Sequence, residues 1–211
     1  MNTKINVLFI KIIAILFSLQ LSRIFLKSLV FVFIPPTPFS DVIVSATIIV
    51  ILTILIVLYA KKRGIHASFY PHKHKVFYAV ASIAAVALLI STPIITGDIS
   101  PETLIVLFYS VIVIPIFEEL IFRGYLWNLF KNKFNSEFKL YLVTTVLFAI
   151  WHLGYIDSIA TRTATTGLPF AMLMKVVTGL CFGIVLGLLR YKTKSCYATI
   201  LLHGVMNIFG R

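Results

Sequence analysis

Long apolar segments constrain the fold of this chain more than any other feature of its sequence. An α-helix needs about 20 mostly apolar residues to cross a bilayer, and on that basis seven candidate spans can be marked. They cover residues 5–33, 42–60, 76–95, 102–130, 140–154, 169–189 and 196–209. Hydrophobic residues make up 60% of the chain and charged residues 12%, an excess that a soluble core of this size cannot bury. The sequence predicts an all-α fold: a polytopic integral membrane helix bundle of about seven transmembrane helices.

Three of these spans are irregular. Residues 140–154 and 196–209 are short, which suits helices enclosed by other helices rather than surrounded by lipid. Arg23 and Lys27 interrupt the first span, so it is either one helix or a shorter span followed by an interfacial helix. Lys175, in the sixth span, is expected to extend outward to the lipid headgroups.

The basic residues predict an orientation. The net charge is +12, but lysine and arginine cluster at the ends of apolar segments, which indicates lipid headgroups and not nucleic acid. The three basic links are residues 61–75, 131–139 and 190–194. The links on the opposite side are residues 35–41, 96–102 and 154–168. Arg162 is the only basic residue in them. The N-terminus and the link 61–75 are therefore predicted to be cytoplasmic in a cell-membrane protein, with the first helix retained because no small-residue cleavage site follows it.

The other residues with metal or redox chemistry have simpler explanations. His66, His72 and His74 lie in the link 61–75, where a solvated, headgroup-facing loop is favoured over a metal site. Cys181 and Cys196 are too few to indicate a disulfide scaffold or a zinc knuckle.

Three charged residues lie inside the fourth apolar segment. Glu118 and Glu119 are adjacent, and Arg123 follows. An ionised side chain at membrane depth costs several kcal/mol, roughly, and therefore marks a functional-site hypothesis. Glu119 and Arg123 are four residues apart and can pair on one helical face, and a structural role is favoured for them. Glu118 points about 100° away, which leaves it available for another task.

Two other spans carry polar residues at helical spacing. His152 follows Phe148 by four residues, and Asn207 follows His203 by four, so that each pair shares a face. Buried carboxylate, imidazole and amide groups must contact one another or water. The sequence therefore predicts one polar pocket enclosed by the fourth, fifth and seventh spans, although each of these residues taken alone has a structural explanation.

Such a pocket suggests hydrolysis by either of two mechanisms. A carboxylate beside a neutral imidazole can deprotonate water, with a second imidazole and an amide available for an oxyanion. Alternatively, Glu118, His152 and His203 could bind a catalytic zinc ion. The HExxH motif is absent, and no serine lies in a recognisable nucleophile elbow. The sequence alone leaves both mechanisms open.

These residues resemble the CPBP family of intramembrane endopeptidases, also called Abi or CaaX-protease-like. The family's EExxxR motif matches Glu118, Glu119 and Arg123, FxxxH matches Phe148 and His152, and HxxxN matches His203 and Asn207. The helix between the last two motifs matches at the small residues Gly179, Gly183 and Gly187, whose spacing allows close packing. The resemblance covers roughly residues 102–209, so that residues 1–100 are N-terminal transmembrane helices and 101–211 the protease-like core of one structural unit.

The resemblance implies roles for these residues. Glu118 and His152 would activate water, His203 and Asn207 would bind the oxyanion, and Glu119 and Arg123 would hold the helices. No metal would be obligatory, and zinc remains possible. The substrate would be a membrane-associated peptide or protein, as in bacteriocin or pheromone processing or self-immunity. Relatives often continue into another helix beyond the position of Arg211, where this sequence ends.

Two other functional classes compete with the protease. A non-enzymatic immunity or peptide-binding membrane protein would use the same pocket. A transporter or proton relay would also bury carboxylates, but the sequence has no paired half-helices or inverted repeat.

Overall fold

The computed structural model describes residues 3–67, 69, 74–131, 133–134 and 136–210, with side chains from residue 7 onward. Over this part of the chain it contains seven helices and no strand, which confirms the predicted all-α bundle. The helices are α1 (Thr3–Phe31), α2 (Pro38–Lys62), α3 (Lys75–Thr96), α4 (Pro101–Lys131), α5 (Glu137–Ala160), α6 (Leu168–Thr193) and α7 (Cys196–Phe209). Ser68 and residues 70–73, with His72, are parts of the basic link that lie outside the described residues.

Six of these helices are long and apolar enough to cross a membrane, and α7 is shorter, with 14 residues. The fifth span is longer than predicted: α5 has 24 residues. The span was predicted to end at residue 154, but at that point α5 changes from α-helical to 3₁₀ geometry and continues. A 3₁₀ turn at His152–Tyr155 is followed by one more α-helical turn, Ile156–Ala160.

The first helix is continuous, contrary to the alternative of a span followed by an interfacial helix. Arg23 and Lys27 do not interrupt it, because both side chains point into the bundle and are buried. They pair there with Asp157 and Asp41. These two charges therefore mark the buried face of α1.

The bundle has an apolar outer surface and a partly polar interior. Large side chains on α3 are largely exposed; Val76 is 78% and Ile83 70% exposed. The buried residues include several charged side chains, such as Glu118, Glu119 and Arg123. Lipid solvates the apolar surface of such a bundle, and polar groups are retained only where other helices satisfy them.

Helix α4 departs from α-helical geometry on both sides of its two glutamates. It is π-helical at Tyr109–Val113 and again at Leu120–Leu126. Pro115 has no N–H, which favours an irregular turn immediately before it, and the Ile114 N–H bonds to the Tyr109 carbonyl five residues back. Single π-helical turns inside α-helices recur at functional sites because they redirect side chains and backbone groups.

Candidate active site

A cavity of about 520 Å³ lies among α2, α4, α5, α6 and α7. Its lining includes Glu118, His152, His203 and Asn207, and so the structure brings together the four residues of the predicted pocket. The cavity extends to the end of the bundle where α2 and α4 begin and α7 ends, because Pro38, Glu102 and Gly210 also line it.

Glu118 is almost completely buried, and its two carboxylate oxygens have different surroundings. Oε1 accepts hydrogen bonds from the Tyr155 hydroxyl at 2.6 Å and from Trp151 Nε1 at 3.1 Å. Oε2 accepts none from any described residue, and it lies 3.9 Å from His203 Nε2. One oxygen is thus held by the protein, and the other is buried without a partner on a residue that lines the cavity.

Glu119 faces a different set of partners, as the 100° helical offset between neighbouring residues requires. Its Oε1 accepts from Arg123 Nη1 at 2.9 Å and from His203 Nδ1 at 3.0 Å. Arg123 also donates from Nη2 to the Gly183 carbonyl of α6 at 3.3 Å. The pair therefore ties α4 to α6 and α7, and it fixes the ring of His203 so that Nε2 faces the cavity.

His152 is held in a similar way. Its Nδ1 lies 2.7 Å from the Phe148 carbonyl, and because a carbonyl only accepts, Nδ1 carries the proton. The Nε2 atom of a neutral His152 then has a lone pair available. The ring packs on α6 at Gly179, where an added Cβ would lie 2.6 Å from Nδ1.

The π-helical turn of α4 positions Asn207. Ile114 bonds to Tyr109 and Pro115 has no N–H to offer; the Ser110 carbonyl accepts a hydrogen bond from Asn207 Nδ2 at 2.7 Å. One helical turn earlier, Gly204 allows a close approach of α7, since a Cβ there would lie 2.7 Å from the Val111 carbonyl oxygen. The irregular backbone of α4 thus determines how closely α7 packs against it, and so how near the polar side chains of α7 lie to Glu118.

Phe148 lies at the centre of the site. Its ring is 4.8 Å from that of His152 and 6.0 Å from that of His203, and the Arg123 guanidinium lies 4.1 Å from its centroid. An aromatic ring in this place excludes water from the Glu119–Arg123 pair and attracts the cation. Phe182 packs on the other side of His203 at 5.6 Å.

The glycine face of α6 lies against α5. A Cβ at Gly187 would approach Tyr141 to 2.8 Å, and one at Gly183 would approach Thr145 to 3.1 Å. The Thr145 hydroxyl donates to the Gly183 carbonyl at 3.1 Å. Small residues at four-residue spacing let the two backbones approach, and His152 enters the site at this close contact.

The possible zinc ligands fit a metal ion in chemistry but not in spacing. An imidazole whose Nδ1–H is held by another group is oriented as a metal ligand requires, and this applies to both His152 and His203. Over the described residues, however, no group of three His, Cys, Asp or Glu side chains is close enough to hold a metal ion. The residues as arranged do not fit the predicted three-ligand set, and the mechanism below therefore uses no metal.

Sequence reasoning missed three residues of the site. Trp151 and Tyr155 donate hydrogen bonds to Glu118. Their place on the same helix as His152 could have indicated this, since a buried indole or phenol needs a hydrogen-bond partner. Lys175 was expected to extend to the headgroups, but it lines the cavity instead, with Nζ 5.8 Å from the Tyr155 ring centroid. The polar cavity gives its ammonium group an alternative to the membrane surface.

A helical membrane bundle with a carboxylate, two imidazoles and an amide around one internal cavity has the construction of an intramembrane hydrolase. The family model for type II CAAX prenyl endopeptidase Rce1-like proteins matches residues 100–209, and the chain belongs to this family. This confirms the resemblance found in the three motifs, all of which lie within the match. No curated protein and no solved structure matches the chain.

Proposed function

We propose that this protein is an intramembrane endopeptidase that hydrolyses a peptide bond of a membrane-associated peptide or protein, with Glu118 as the general base. The observation that carries the proposal is the asymmetry of the Glu118 carboxylate. Oε1 is held by Tyr155 and Trp151, whereas Oε2 has no partner among the described residues and lies 3.9 Å from His203 Nε2 beside the cavity that both residues line.

Glu118 and His152 activate water in this mechanism. A water molecule at Oε2 gives a proton to the carboxylate as its oxygen attacks the substrate carbonyl carbon. The Nε2 lone pair of His152 orients the same water. The tetrahedral intermediate collapses with cleavage of the C–N bond, and the proton passes from Glu118 to the departing amine, as general acid–base catalysis requires.

His203 and Asn207 stabilise the oxyanion. One hydrogen of the Asn207 amide is held by the Ser110 carbonyl, and the second is left for the intermediate. His203 donates from Nε2 when both ring nitrogens carry protons, with Nδ1 bound to the Glu119 carboxylate. Donors aimed at the developing charge in a water-poor site contribute a large part of catalysis in acyl-transfer hydrolysis.

A peptide-cleavage assay tests the proposal. The purified protein in detergent is incubated with a panel of quenched fluorescent peptides, some lipidated and some not, beside Glu118→Ala. Glu137→Gln, which removes a carboxylate paired with Lys194 at the surface, serves as the control. We expect cleavage by the wild type and by the control and none by Glu118→Ala. Equal cleavage by all three would remove Glu118 from the mechanism.

The panel also addresses the substrate. Membership of the family suggests a CAAX-type peptide, and processing of a bacteriocin or pheromone precursor, or self-immunity, would use the same chemistry. If only the lipidated peptides are cleaved, the result favours a CAAX-type substrate. A protein that binds the peptides without cleaving them would be an immunity or peptide-binding protein rather than an enzyme.

We propose further that no metal is obligatory for this activity. Activity is then expected to survive a strong chelator and to show a bell-shaped pH profile from the coupled Glu118–His152 pair. Stoichiometric zinc whose removal and return switch activity off and on would show instead that Glu118, His152 and His203 act as ligands.

The proposed location is the cell membrane, with the N-terminus and the link 61–75 in the cytoplasm. The cavity then extends to the non-cytoplasmic end of the bundle. In a chain lacking Cys181 and Cys196, a cysteine at Asp98 should react with an impermeant thiol reagent on intact cells, and one at Lys62 should not. The reverse labelling pattern would invert this topology.

A further inference from the structure

Three polar side chains form one buried face of α1. Gln20, Arg23 and Lys27 are spaced three and four residues apart, so they lie on the same side of the helix, and each is at most 6% exposed. This helix lies outside the family match, which begins at residue 100. A helix needed only to fill space in a membrane bundle has no use for three buried polar groups, since apolar residues pack there without the cost of desolvation.

Two of these side chains bind the backbone of Trp151 and of the 3₁₀ turn His152–Tyr155 that follows it; these five residues are the 151–155 turn. Gln20 Nε2 donates to the Trp151 carbonyl at 3.1 Å, and Arg23 Nη2 donates to the Gly154 carbonyl. Arg23 also binds Asp157, just beyond the turn, through Nη1 at 3.1 Å and Nη2 at 2.6 Å. The turn is therefore held at its beginning, at its middle and beyond its end.

The two α1 side chains also position each other. Arg23 Nε donates to Gln20 Oε1 at 3.0 Å, and the guanidinium lies 4.9 Å from the centroid of the Tyr155 ring. Gly154 has no Cβ at the place where Gln20 approaches it, and an added methyl would overlap the Gln20 side chain. The contact between α1 and the turn is thus close and has one geometry.

The same turn carries the side chains that hold the catalytic groups. Trp151 and Tyr155 are the two donors on Glu118 Oε1, and His152 lies between them. A shift of the turn would move both donors and the imidazole together. Misplacing reacting groups by about 1 Å can cost on the order of 100-fold in rate.

We propose that Gln20 and Arg23 are positioning residues of the active site: they hold the 151–155 turn so that Trp151 and Tyr155 fix one oxygen of Glu118 and leave the other for water. The inference rests on the proposed peptidase function for its kinetic consequence but not for its structural one. It extends the functional unit to α1, beyond the part of the chain that defines the family.

Kinetics give the first test. Gln20→Met and Arg23→Met should lower kcat roughly 10- to 100-fold with KM changed less than about twofold, since neither side chain lines the cavity itself. Ser82→Ala is the matched control, because it removes a hydrogen bond between α3 and α7, to Tyr197, far from the turn. Arg23→Lys should recover stability without recovering kcat, since a lysine retains the charge opposite Asp157 but not the forked contact to Gly154. Full recovery of kcat by Arg23→Lys would reduce Arg23 to a structural ion pair and overturn its role.

Fluorescence gives a second test that needs no activity. With Trp127→Phe, Trp151 is the remaining tryptophan of the chain, and its emission reports on the turn directly. We expect Gln20→Met and Arg23→Met to shift this emission to longer wavelength, and Ser82→Ala to leave it unchanged. If the emission responds but no peptide is cleaved by any form, the proposed function fails and the positioning contact stands. Unchanged emission in both α1 variants would overturn the inference whatever the kinetics show, and Gln20→Met alone decides the test should Arg23→Met not fold.

Discussion

The bundle contains two clusters of buried charge that differ in how completely they are paired. The first, the site cluster, consists of Glu118, Glu119, Arg123, His152 and His203. The second, the α1 cluster, consists of Arg23, Lys27, Asp41, Asp157 and Arg162. Every carboxylate oxygen of the α1 cluster has a cationic partner within 3.1 Å. In the site cluster, three atoms have no hydrogen-bond partner among the described residues: Glu118 Oε2, Glu119 Oε2 and Arg123 Nε.

The difference in pairing distinguishes a structural role for the α1 cluster from a catalytic role for the site cluster. A buried ion pair whose atoms are all satisfied is held in one arrangement and has little to offer a substrate. A buried carboxylate that is fixed through one oxygen and lines a cavity is a base with a defined direction. The adjacent residues Glu118 and Glu119 differ in position rather than in pairing. Each has one oxygen without a hydrogen-bond partner, but only Glu118 lines the cavity, whereas Glu119 is bound by Arg123 and His203.

The largest expected effect is the loss of catalysis on replacing Glu118, the glutamate that lines the cavity beside His152 and His203. Glu118→Gln is nearly isosteric, and it keeps an oxygen for Tyr155 and Trp151 while removing the base. We expect kcat to fall about 10²- to 10⁴-fold, the usual contribution of general acid–base catalysis, with no loss in the free energy of unfolding. Parallel measurement of peptide cleavage and of thermal unfolding in detergent checks both. A destabilised protein would mean that Glu118 is structural, as its neighbour is.

Breaking the paired part of the site cluster should affect stability most. Arg123→Met leaves Glu119 buried with His203 Nδ1 as its remaining hydrogen-bond partner, and removing one member of a buried pair costs about 3–5 kcal/mol. Unfolding in mixed micelles measures the loss. The double variant Arg123→Met/Glu119→Met should regain much of it, because no uncompensated charge remains. A double variant no more stable than the single one would show that the pair does not behave as a unit.

Much of the fold and of the site could be predicted from the sequence, because in a membrane a charge within an apolar run is easily recognised. Glu118, His152, His203 and Asn207 stood out for that reason, and their helical spacing predicted one cavity. The same signal is present at Arg23 and Lys27, but there the sequence leaves open whether the first helix is continuous or ends early. Sequence spacing gives the face on which a residue lies; whether that face meets lipid or another helix depends on tertiary packing.

Backbone irregularities were beyond sequence reasoning. The 3₁₀ turn at His152–Tyr155 and the π-helical turn at Tyr109–Val113 have no periodic signal, since each changes the geometry over a few residues only. Pro115 was a usable hint for the second. Both irregularities determine which groups meet at the site. The 3₁₀ turn, with Trp151 directly before it, positions the two donors to Glu118. The π-helical turn presents the Ser110 carbonyl to Asn207.

A moderate effect is expected where the site cluster contacts the glycine face of α6. Gly179→Ala adds a methyl group that would lie 2.6 Å from the His152 ring, so the ring must move. Overpacking of this kind costs about 1–3 kcal/mol, and kcat should fall more than stability alone explains. Gly167→Ala is the control, since the methyl there meets only the Thr163 side chain, at 3.2 Å. Equal and small effects of both substitutions would show that His152 tolerates displacement.

The smallest effect is expected at the exposed edge of the α1 cluster. Arg162 pairs with Asp41 Oδ2 at 3.1 Å, but its side chain is 43% exposed, and Asp41 keeps Lys27 and Ser158 as partners when Arg162 is lost. Ion pairs exposed to this extent contribute about 0.2–1 kcal/mol, so Arg162→Gln should lower the free energy of unfolding by no more than that. Lys27→Met, in contrast, removes the buried cation shared by Asp41 and Asp157 and should cost several times as much. Unfolding of both variants at low and high salt separates the two cases, because salt screens the exposed pair far more than the buried one. Equal losses would mean that the α1 cluster is held at its edge rather than at its centre.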